Sequence, residues 1–110
     1  MAEMSESQFN QMIDDLLMGL EEQLDELDVD IDYETAGGVL TLIFENKTQI
    51  IINRQTPVRQ LWLATRSGGF HFDYDDASGT WLRDTDGAEF FGVLNQDCST
   101  QAGAPVELKA

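Results

Sequence analysis

The stretch GGVLTLIFENKTQIIINRQTPVRQLWLA, residues 37–64, decides which fold this chain can adopt. It contains three segments rich in β-branched and aliphatic residues, at 39–45, 48–54 and 59–65, which predict β-strands. Only a few turn residues separate these segments. Because parallel neighbours need a crossover of a dozen or more residues, connections this short predict antiparallel pairing.

Three more strands are predicted on either side of this stretch. Segment 29–34 alternates strictly between apolar and acidic residues, and a Gly-Gly turn follows it. Segments 70–74 and 80–83 each follow a turn that contains Ser-Gly. The sequence therefore predicts one sheet of six short strands, mainly antiparallel.

Helices are predicted at both ends of the chain. Residues 5–27 place apolar side chains at three- and four-residue steps, with Ser5 or Ser7 available as the N-cap. This stripe consists of Phe9, Met12, Ile13, Leu16, Leu20, Leu24 and Leu27. A second helix over roughly 87–101 follows the tetrapeptide DGAE at 86–89, which resembles a capping box with Asp in the Ser/Thr place. Its apolar side consists of Phe90, Phe91, Leu94 and Cys98.

These elements predict an α+β fold, a two-layer sandwich with the N- and C-terminal helices packed on one face of the sheet. A chain of 110 residues has the usual length of one domain, so residues 1–110 are predicted as a single domain. After Gly103 the tail is too short for an element, and we expect Val106 and Leu108 to cover the seam between the helices. The other sheet face meets water, which makes its side chains candidates for recognition.

The charge of the chain is strongly acidic and unevenly placed. Its formal net charge at pH 7 is −15, from 21 acids and 6 bases, which argues against binding to nucleic acid or to an anionic membrane. Thirteen of the acids lie in residues 1–46, where no Lys or Arg occurs. Cations and proteins with basic patches are the partners that such a surface favours.

The cysteine content and the N-terminal region predict a cytoplasmic protein. Cys98 is the single cysteine, so no internal disulfide is possible, which fits a reducing compartment. We expect it to be a core residue. No apolar run approaches the ~18 residues of a membrane span, and the N-terminal region has neither a secretory signal pattern nor an Arg-rich transit peptide.

An unusual concentration of like charge begins at the end of the predicted first helix. The stretch LDELDVDIDYE, residues 24–34, holds six carboxylates in eleven positions and no cation. With two more acids just before it, the set, which we call the acidic ridge, consists of Glu21, Glu22, Asp25, Glu26, Asp28, Asp30, Asp32 and Glu34. Like charges four residues apart on a helix destabilise it by ~0.2–0.5 kcal/mol per pair. A stretch that works against its own stability is a better candidate for function than for packing.

Three interpretations of the acidic ridge remain open from the residues alone. Hydrated carboxylates with no His or Cys nearby suit hard cations, so the ridge can be a shallow row of ligands that holds cations weakly. It can be a docking site for a basic partner, which is compatible with metal binding. It can also be a solvated helix face followed by an edge strand that is charged against aggregation. An EF-hand is excluded, because Tyr33 and Val39 stand where that loop requires Gly and Glu.

The alternation of side chains along the strands predicts which of them face water. If Leu61 and Leu63 point toward the helices, Trp62 between them points outward, in the company of amide side chains. The outward set predicted in this way is Ile51, Asn53, Gln55, Gln60, Trp62, Ala64, His71 and Asp73. An exposed Trp is typical of an interaction surface. The alternative is the opposite parity, which would place Trp62 in the core. Trp81 shows no clear parity, and we expect it in the core.

No catalytic arrangement is evident in the sequence. His71 is the only histidine, and no nucleophile or orienting partner lies near it along the chain, so we expect a surface residue or an accessory metal ligand. No triad order, phosphate loop or zinc spacing occurs. The sequence therefore predicts a protein that is not an enzyme.

Four parts of the chain, spread over residues 5–102, form a recognisable pattern. They are the acid-rich first helix and strand, the opening stretch at 37–64, SGGFHFDYD at 67–75 and TWLRDTDGAEFFGVL at 80–94. In these parts the chain resembles the frataxin family, and in particular its bacterial members. The most specific segment is INRQTPVRQLWLA. The resemblance implies the same α+β sandwich that the periodicity predicts.

The resemblance also implies an iron-binding protein, an iron donor or sensor, that binds cysteine desulfurase and regulates iron–sulfur cluster assembly. It implies weak binding of Fe²⁺ and Fe³⁺ by the carboxylates of the acidic ridge, and contacts with the desulfurase and scaffold complex through Asn53, Gln55 and Trp62. A cytoplasmic monomer is implied, with iron-dependent oligomers as an open alternative. The rival interpretation from the residues is a metal-independent acidic adaptor that docks on a basic partner.

Overall fold

The computed structural model describes residues 4–110, which form two helices and six strands. In chain order these are α1 Glu6–Asp25, β1 Ile31–Ala36, β2 Val39–Phe44, β3 Gln49–Gln55, β4 Gln60–Thr65, β5 Gly68–Asp75, β6 Thr80–Arg83 and α2 Phe90–Ala102, with a 3-10 turn at Thr56–Val58. Strand order across the sheet follows the sequence, and every neighbouring pair is antiparallel. The predicted α+β fold is therefore confirmed, and β1 and β6 are its edge strands.

The core lies between the two helices and one face of the sheet. Its buried side chains are Phe9, Ile13, Leu17, Leu20 and Leu24 of α1, Ile31, Leu40, Leu42, Phe44, Ile50, Ile52, Leu61, Leu63, Phe72 and Trp81 of the sheet, and Phe90, Phe91, Leu94 and Cys98 of α2. The predicted core positions of Trp81 and Cys98 are confirmed. Burial and the charge of Asp97 raise the pKa of the Cys98 thiol to about 12, so it stays protonated at neutral pH.

The buried stripe of α1 differs from the predicted one at two positions. Leu17 is buried, whereas Leu16 is only partly covered. The next buried position after Ile13 therefore lies four residues along the helix, and the prediction had placed it three residues along. Leu27 lies beyond the end of α1 at Asp25. Ser5 is the N-cap: its hydroxyl accepts from the Gln8 N–H at 3.1 Å, and the Gln8 side chain accepts from the Ser5 N–H at 2.9 Å.

The capping box predicted at 86–89 is wrong. α2 begins at Phe90, and its N-cap is Glu89, whose carboxylate accepts from the Phe91 N–H at 2.8 Å. Asp86 instead accepts two hydrogen bonds from the Arg83 guanidinium, at 2.8 and 2.7 Å. This ion pair, with the Ala88 N–H as a further donor, lowers the pKa of Asp86 to about 2. The carboxylate that resembled a cap is thus used in the turn after β6.

The start of β1 also lies later than predicted. The Ile31 N–H donates to the Val29 carbonyl at 2.9 Å, which closes a tight turn and delays the strand to Ile31. Asp28 and Asp30 therefore belong to the connection between α1 and β1, and both side chains are exposed. The other strand limits lie within two residues of the predicted ones.

The tail covers the seam between the helices, as predicted. Val106 and Leu108 are buried. The Asn95 side chain of α2 donates to the Leu108 carbonyl at 2.9 Å and accepts from its N–H at 2.8 Å. Gln23 of α1 brackets Lys109 in the same manner, at 2.7 and 2.8 Å. One amide side chain from each helix therefore fixes the tail.

We expect Leu108→Ala to lower the free energy of unfolding by about 2–5 kcal/mol, because it empties a buried leucine site between the helices. The matched control is Glu107→Ala, one residue earlier and exposed, which should stay within about 0.5 kcal/mol of the parent. Urea unfolding followed by circular dichroism measures both values. Equal stabilities for the two variants would contradict the packing of the tail.

Candidate metal and partner-binding surface

The acidic ridge lies at the β1 edge of the sheet. Two hydroxyls of β1 hold the end of α1 against this edge. The Tyr33 hydroxyl donates to Asp25 Oδ1 at 2.8 Å, and the Thr35 hydroxyl donates to a carboxylate oxygen of Glu21. The helix and strand that carry the ridge are thus joined through ridge residues themselves, so the ridge carboxylates gather along one margin of the molecule.

The ridge extends over both faces of this margin. Tyr33 and Thr35 reach toward α1, so the alternate residues Asp32 and Glu34 project from the open face of the sheet. The alternation predicted for this strand is confirmed from Ile31 onward, since Ile31 is buried while its acidic neighbour is exposed. Charge therefore lines the helix side and the water side of one edge strand.

No described cation neutralises the acidic ridge. The ion pairs among residues 4–110 are Arg54 with Asp14, Arg83 with Asp86, and His71 with Asp84 at 3.8 Å, and none includes a ridge residue. Seven of the eight ridge side chains are exposed, and Glu21 is half-buried. Among residues 4–110, no ion pair therefore offsets the repulsion expected from the sequence.

The ridge offers a row of oxygen ligands and no preformed cage. Within residues 4–110, no three His, Cys, Asp or Glu side chains come together as a metal-holding group. A shallow, open depression follows the margin and is lined by Leu24, Asp25, Leu27, Val29, Asp30, Ile31, Asp32, Tyr33, Glu34 and Ile43. Carboxylates around such an open depression suit weak binding of a hard cation that keeps part of its hydration shell.

Tyr33 reports on the charge of the ridge. Its hydrogen bond to Asp25 raises the pKa of the phenol above the ordinary value of 10.0, and partial burial and the charges of Asp25 and Glu21 raise it further. Because the folded protein favours the neutral phenol, the stability that Tyr33 contributes is fully present below the ordinary pKa. It is lost as the pH rises through the higher, folded pKa.

We expect Asp25→Asn to lower the pKa of Tyr33 toward 10, because the amide can still accept the hydrogen bond but carries no charge. The measurement is the ¹³Cζ chemical shift of Tyr33 against pH in a Tyr74→Phe background, which leaves one tyrosine. A divalent cation bound at Asp25 should lower the pKa in the same direction. An unchanged titration in Asp25→Asn would contradict the electrostatic account.

The open face of the sheet carries the second candidate surface. Trp62 is half-buried on this face, between the core residues Leu61 and Leu63, so the predicted outward orientation is confirmed. Its indole N–H donates to the Gln60 side chain at 3.1 Å. Asn53 lies directly opposite Trp62 on β3.

The remaining outward residues surround this pair. Gln55 faces Gln60 across the same two strands, and Ile51 faces Ala64. Ile51 is 37% exposed, which is unusual for a large aliphatic residue of a sheet. The three predicted partner contacts, Asn53, Gln55 and Trp62, therefore share one face with an apolar patch beside them.

The structure adds a stacked pair that the sequence did not predict. The rings of Trp62 and His71 stack with centroids 4.2 Å apart and planes inclined by 15°. The signal was present in the hairpin: a two-residue turn after Thr65 pairs it with Gly68 and places position 71 opposite position 62. His71 is thus part of the flat aromatic surface around Trp62, and Asp84 lies beside it.

Two residues of the acidic ridge, Asp32 and Glu34, lie on the same side of the sheet as the Trp62 surface. A row of paired residues crosses the sheet from β1 to β4: Glu34, Thr41, Ile51 and Ala64. Ala64 is two residues from Trp62 on β4. Strands in a sheet are about 4.8 Å apart, so β1 and β4 are separated by about 14 Å. One partner of ordinary size can therefore contact the acids and the aromatic pair together.

Neither helix of the described residues is long and apolar enough to cross a membrane. The fold and the surface define a class: a small α+β sandwich that presents unneutralised carboxylates at one sheet edge and an aromatic patch on the open face. The family model for the frataxin-like domain matches residues 2–104. The chain belongs to the frataxin family.

Curated relatives match along almost their whole length. A protein of Pseudoalteromonas atlantica named iron-sulfur cluster assembly protein CyaY is 52% identical over 103 residues, which is 94% of this chain and 94% of the relative. A protein of Pseudomonas aeruginosa with the same name is 48% identical over 104 residues, 94% of this chain and 96% of the relative.

Solved structures agree with the fold. Frataxin from Psychromonas ingrahamii has a TM-score of 0.88 and 41% identity, over 97% of this chain and 100% of that one. Trimeric frataxin from the yeast Saccharomyces cerevisiae, solved in complex with ferrous iron, has a TM-score of 0.68 and 28% identity, over 94% of this chain and 90% of that one.

Proposed function

We propose that this protein acts in iron–sulfur cluster assembly, where it binds iron weakly at the acidic ridge and docks on cysteine desulfurase. The observation that carries the proposal is the ridge itself: carboxylates gathered at one margin with no described cation to neutralise them. The names of the CyaY relatives support the pathway, and the ferrous complex of yeast frataxin supports the metal.

Iron is cargo in this proposal and not a resident cofactor. Fe²⁺ and Fe³⁺ are hard enough to accept carboxylate oxygens, and a bound cation relieves the mutual repulsion of the ridge. The open depression leaves room for water in the remaining coordination positions. Binding is therefore weak and reversible, which suits a protein that senses or delivers iron. In this proposal the protein is not an enzyme and acts in the cytoplasm. It is a monomer, and iron can drive its association into oligomers.

Docking on the desulfurase and its scaffold complex uses both surfaces. The ridge attracts a basic patch over the distance that physiological salt allows, about 8 Å. Trp62 supplies a flat apolar anchor, stiffened by its stack on His71. The side-chain amides of Asn53 and Gln55 flank that anchor and offer hydrogen bonds to the partner.

The second candidate function is a metal-independent adaptor, in which the acids only attract a basic partner. It is favoured by the absence, among residues 4–110, of a three-ligand group for a metal. The two functions differ in one measurable respect. An iron-binding protein responds to iron at the ridge, whereas an adaptor docks identically with and without a chelator.

We expect the double variant Asp32→Asn, Glu34→Gln to weaken iron binding and leave the fold intact, because neither side chain takes part in a described hydrogen bond. Its melting temperature should be unchanged or higher by roughly 1–3 °C, since like-charge repulsion is relieved. The readout is an anaerobic amide NMR titration with Fe²⁺. The control is Glu6→Gln, Asp76→Asn, which removes the same charge at the far end of α1.

In that titration, wild type and control should shift at the ridge, and the ridge variant should shift less. Chemical-shift changes confined to other parts of the chain would contradict iron binding at the acidic ridge. Loss of folding in the ridge variant would show that these acids are structural.

We expect the affinity for cysteine desulfurase to fall roughly tenfold or more between 50 and 500 mM NaCl, because exposed charges are screened. Trp62→Ala should weaken binding at both salt concentrations, since its contact is apolar. Surface plasmon resonance measures the affinity of the wild-type protein and of Trp62→Ala at both salt concentrations, with and without chelator. Salt-independent binding contradicts the role of the ridge, and identical binding in chelator favours the adaptor.

A further inference from the structure

The two edges of the sheet are finished differently. Beyond β6 the chain turns back along the strand: the Arg83 N–H donates to the Ala88 carbonyl at 2.7 Å, and Leu82 forms a bridge with Glu89. At β1 no described segment does the same. The edge that carries the acidic ridge is therefore the edge at which backbone groups face outward.

Hydrogen bonds of β2 show which way its backbone points. The Phe44 N–H donates to the Thr48 carbonyl and the Phe44 carbonyl accepts from the Lys47 N–H, both at 2.9 Å, so the backbone groups of Phe44 point toward β3. The direction of the backbone N–H and C=O groups alternates along an antiparallel strand. The backbone groups of Thr41 and Ile43 consequently point toward β1.

The partners of these two residues then fix the free groups of β1. Thr41 pairs with Glu34 and Ile43 pairs with Asp32, so the backbone groups of Asp32 and Glu34 are used inside the sheet. Tyr33 and Thr35 alternate with them and turn their N–H and C=O groups to the edge. Among residues 4–110 no other hydrogen bond uses these four groups.

The space beside this edge is open and partly apolar. The depression that follows the margin has the half-buried side chains of Leu27 and Val29 among its walls. A strand added to a sheet lies about 4.8 Å from its neighbour and covers such walls with alternate side chains. The site thus combines free backbone groups with apolar surface.

Charge selects the occupant. The edge strand presents Asp32 and Glu34 on the open face, and Asp25 and Glu21 lie on the helix side. Without bound cations, a second copy of this chain is repelled, because each copy carries a net charge of −15. An extended segment with cations at alternate positions matches acids two residues apart on one face.

We propose that the β1 edge is a docking site for an extended basic segment of a partner protein, which adds to the sheet as a seventh strand. The proposal deepens the proposed function and rests on its docking part, because it names the manner in which the ridge engages a partner. Backbone pairing at Tyr33 and Thr35 gives the register, and the ridge gives the preference for cations.

The first test uses the full chain and the peptide acetyl-KTKVKTK-amide in an amide hydrogen-exchange NMR experiment. The Tyr33 and Thr35 amides should exchange fast in the free protein and roughly tenfold or more slowly with peptide. The Asp32 and Glu34 amides, already bonded within the sheet, should change little. Acetyl-KPKVKPK-amide carries the same charge but cannot pair as a strand, and acetyl-ETEVETE-amide reverses the charge.

Protection at alternate residues that only the first peptide produces supports the strand addition. Equal binding of the proline peptide, with Tyr33 and Thr35 still fast, would show that attraction is purely electrostatic and overturn the proposal. Protection produced by the acidic peptide, or by the protein's own association at high concentration, would overturn the charge selection.

The second test uses cysteine desulfurase and two variants of one residue. Thr35→Pro removes the outward N–H, at an edge position where proline is tolerated. Thr35→Val keeps that N–H and removes the hydroxyl that donates to Glu21, a hydroxyl that proline also lacks, so it is the matched control. We expect Thr35→Pro to bind roughly tenfold more weakly than Thr35→Val, with both folded by circular dichroism.

The outcomes separate this proposal from the proposed function. Equal, salt-dependent binding of the two Thr35 variants overturns strand addition and leaves docking at the ridge in place. No binding of the wild-type protein to the desulfurase overturns the docking part of the proposed function. If Thr35→Pro fails to fold, the exchange experiment on the wild-type chain decides the question alone.

Discussion

The covering of one sheet face by two helices is the constraint on which the rest of the structure depends. Side chains alternate between faces along every strand, so the residues that must be buried determine which residues cannot be. Leu61 and Leu63 are fully or almost fully buried, and Trp62 between them is left on the open face. Burying apolar surface contributes about 25 cal/mol per Å², which outweighs the cost of leaving one large ring half in water. The aromatic patch is thus a consequence of the core.

The same core allows the margin to be electrostatically unfavourable. A fully buried leucine contributes about 1.5–3 kcal/mol, whereas a like-charge pair on a helix surface costs a few tenths. Leu20 and Leu24 anchor the very turns of α1 from which Glu21 and Asp25 project. The hydroxyls of Tyr33 and Thr35 on β1 also donate hydrogen bonds to ridge carboxylates, which offsets part of the electrostatic repulsion. The ridge is held in place by residues that bear no charge.

Much of the fold could be predicted because its signals are local. Short turns imply antiparallel neighbours, and the alternation around Trp62 implies an outward ring; both inferences agree with the structure. The misses depend on contacts between elements. Leu17 is buried because of how α1 lies on the sheet, and the stack of Trp62 on His71 depends on hairpin register. Asp86 had two local uses, and its ion pair with Arg83 prevailed over a helix cap. The roles assigned to the ridge remain predictions.

On the proposed function, iron and partner make opposite demands on the ridge. A cation bound among the carboxylates cancels part of the charge that attracts a basic segment, and by linkage the segment weakens the cation to the same degree. A bound cation weakens the electrostatic attraction at Asp32 and Glu34. It does not weaken the apolar contact of Trp62, which lies about 14 Å away across the sheet. Docking would then lose speed and register before it loses its anchor. A protein with weak carboxylate ligands and a separate aromatic anchor can therefore respond to iron in a graded manner, which a preformed metal cage at the interface would not permit.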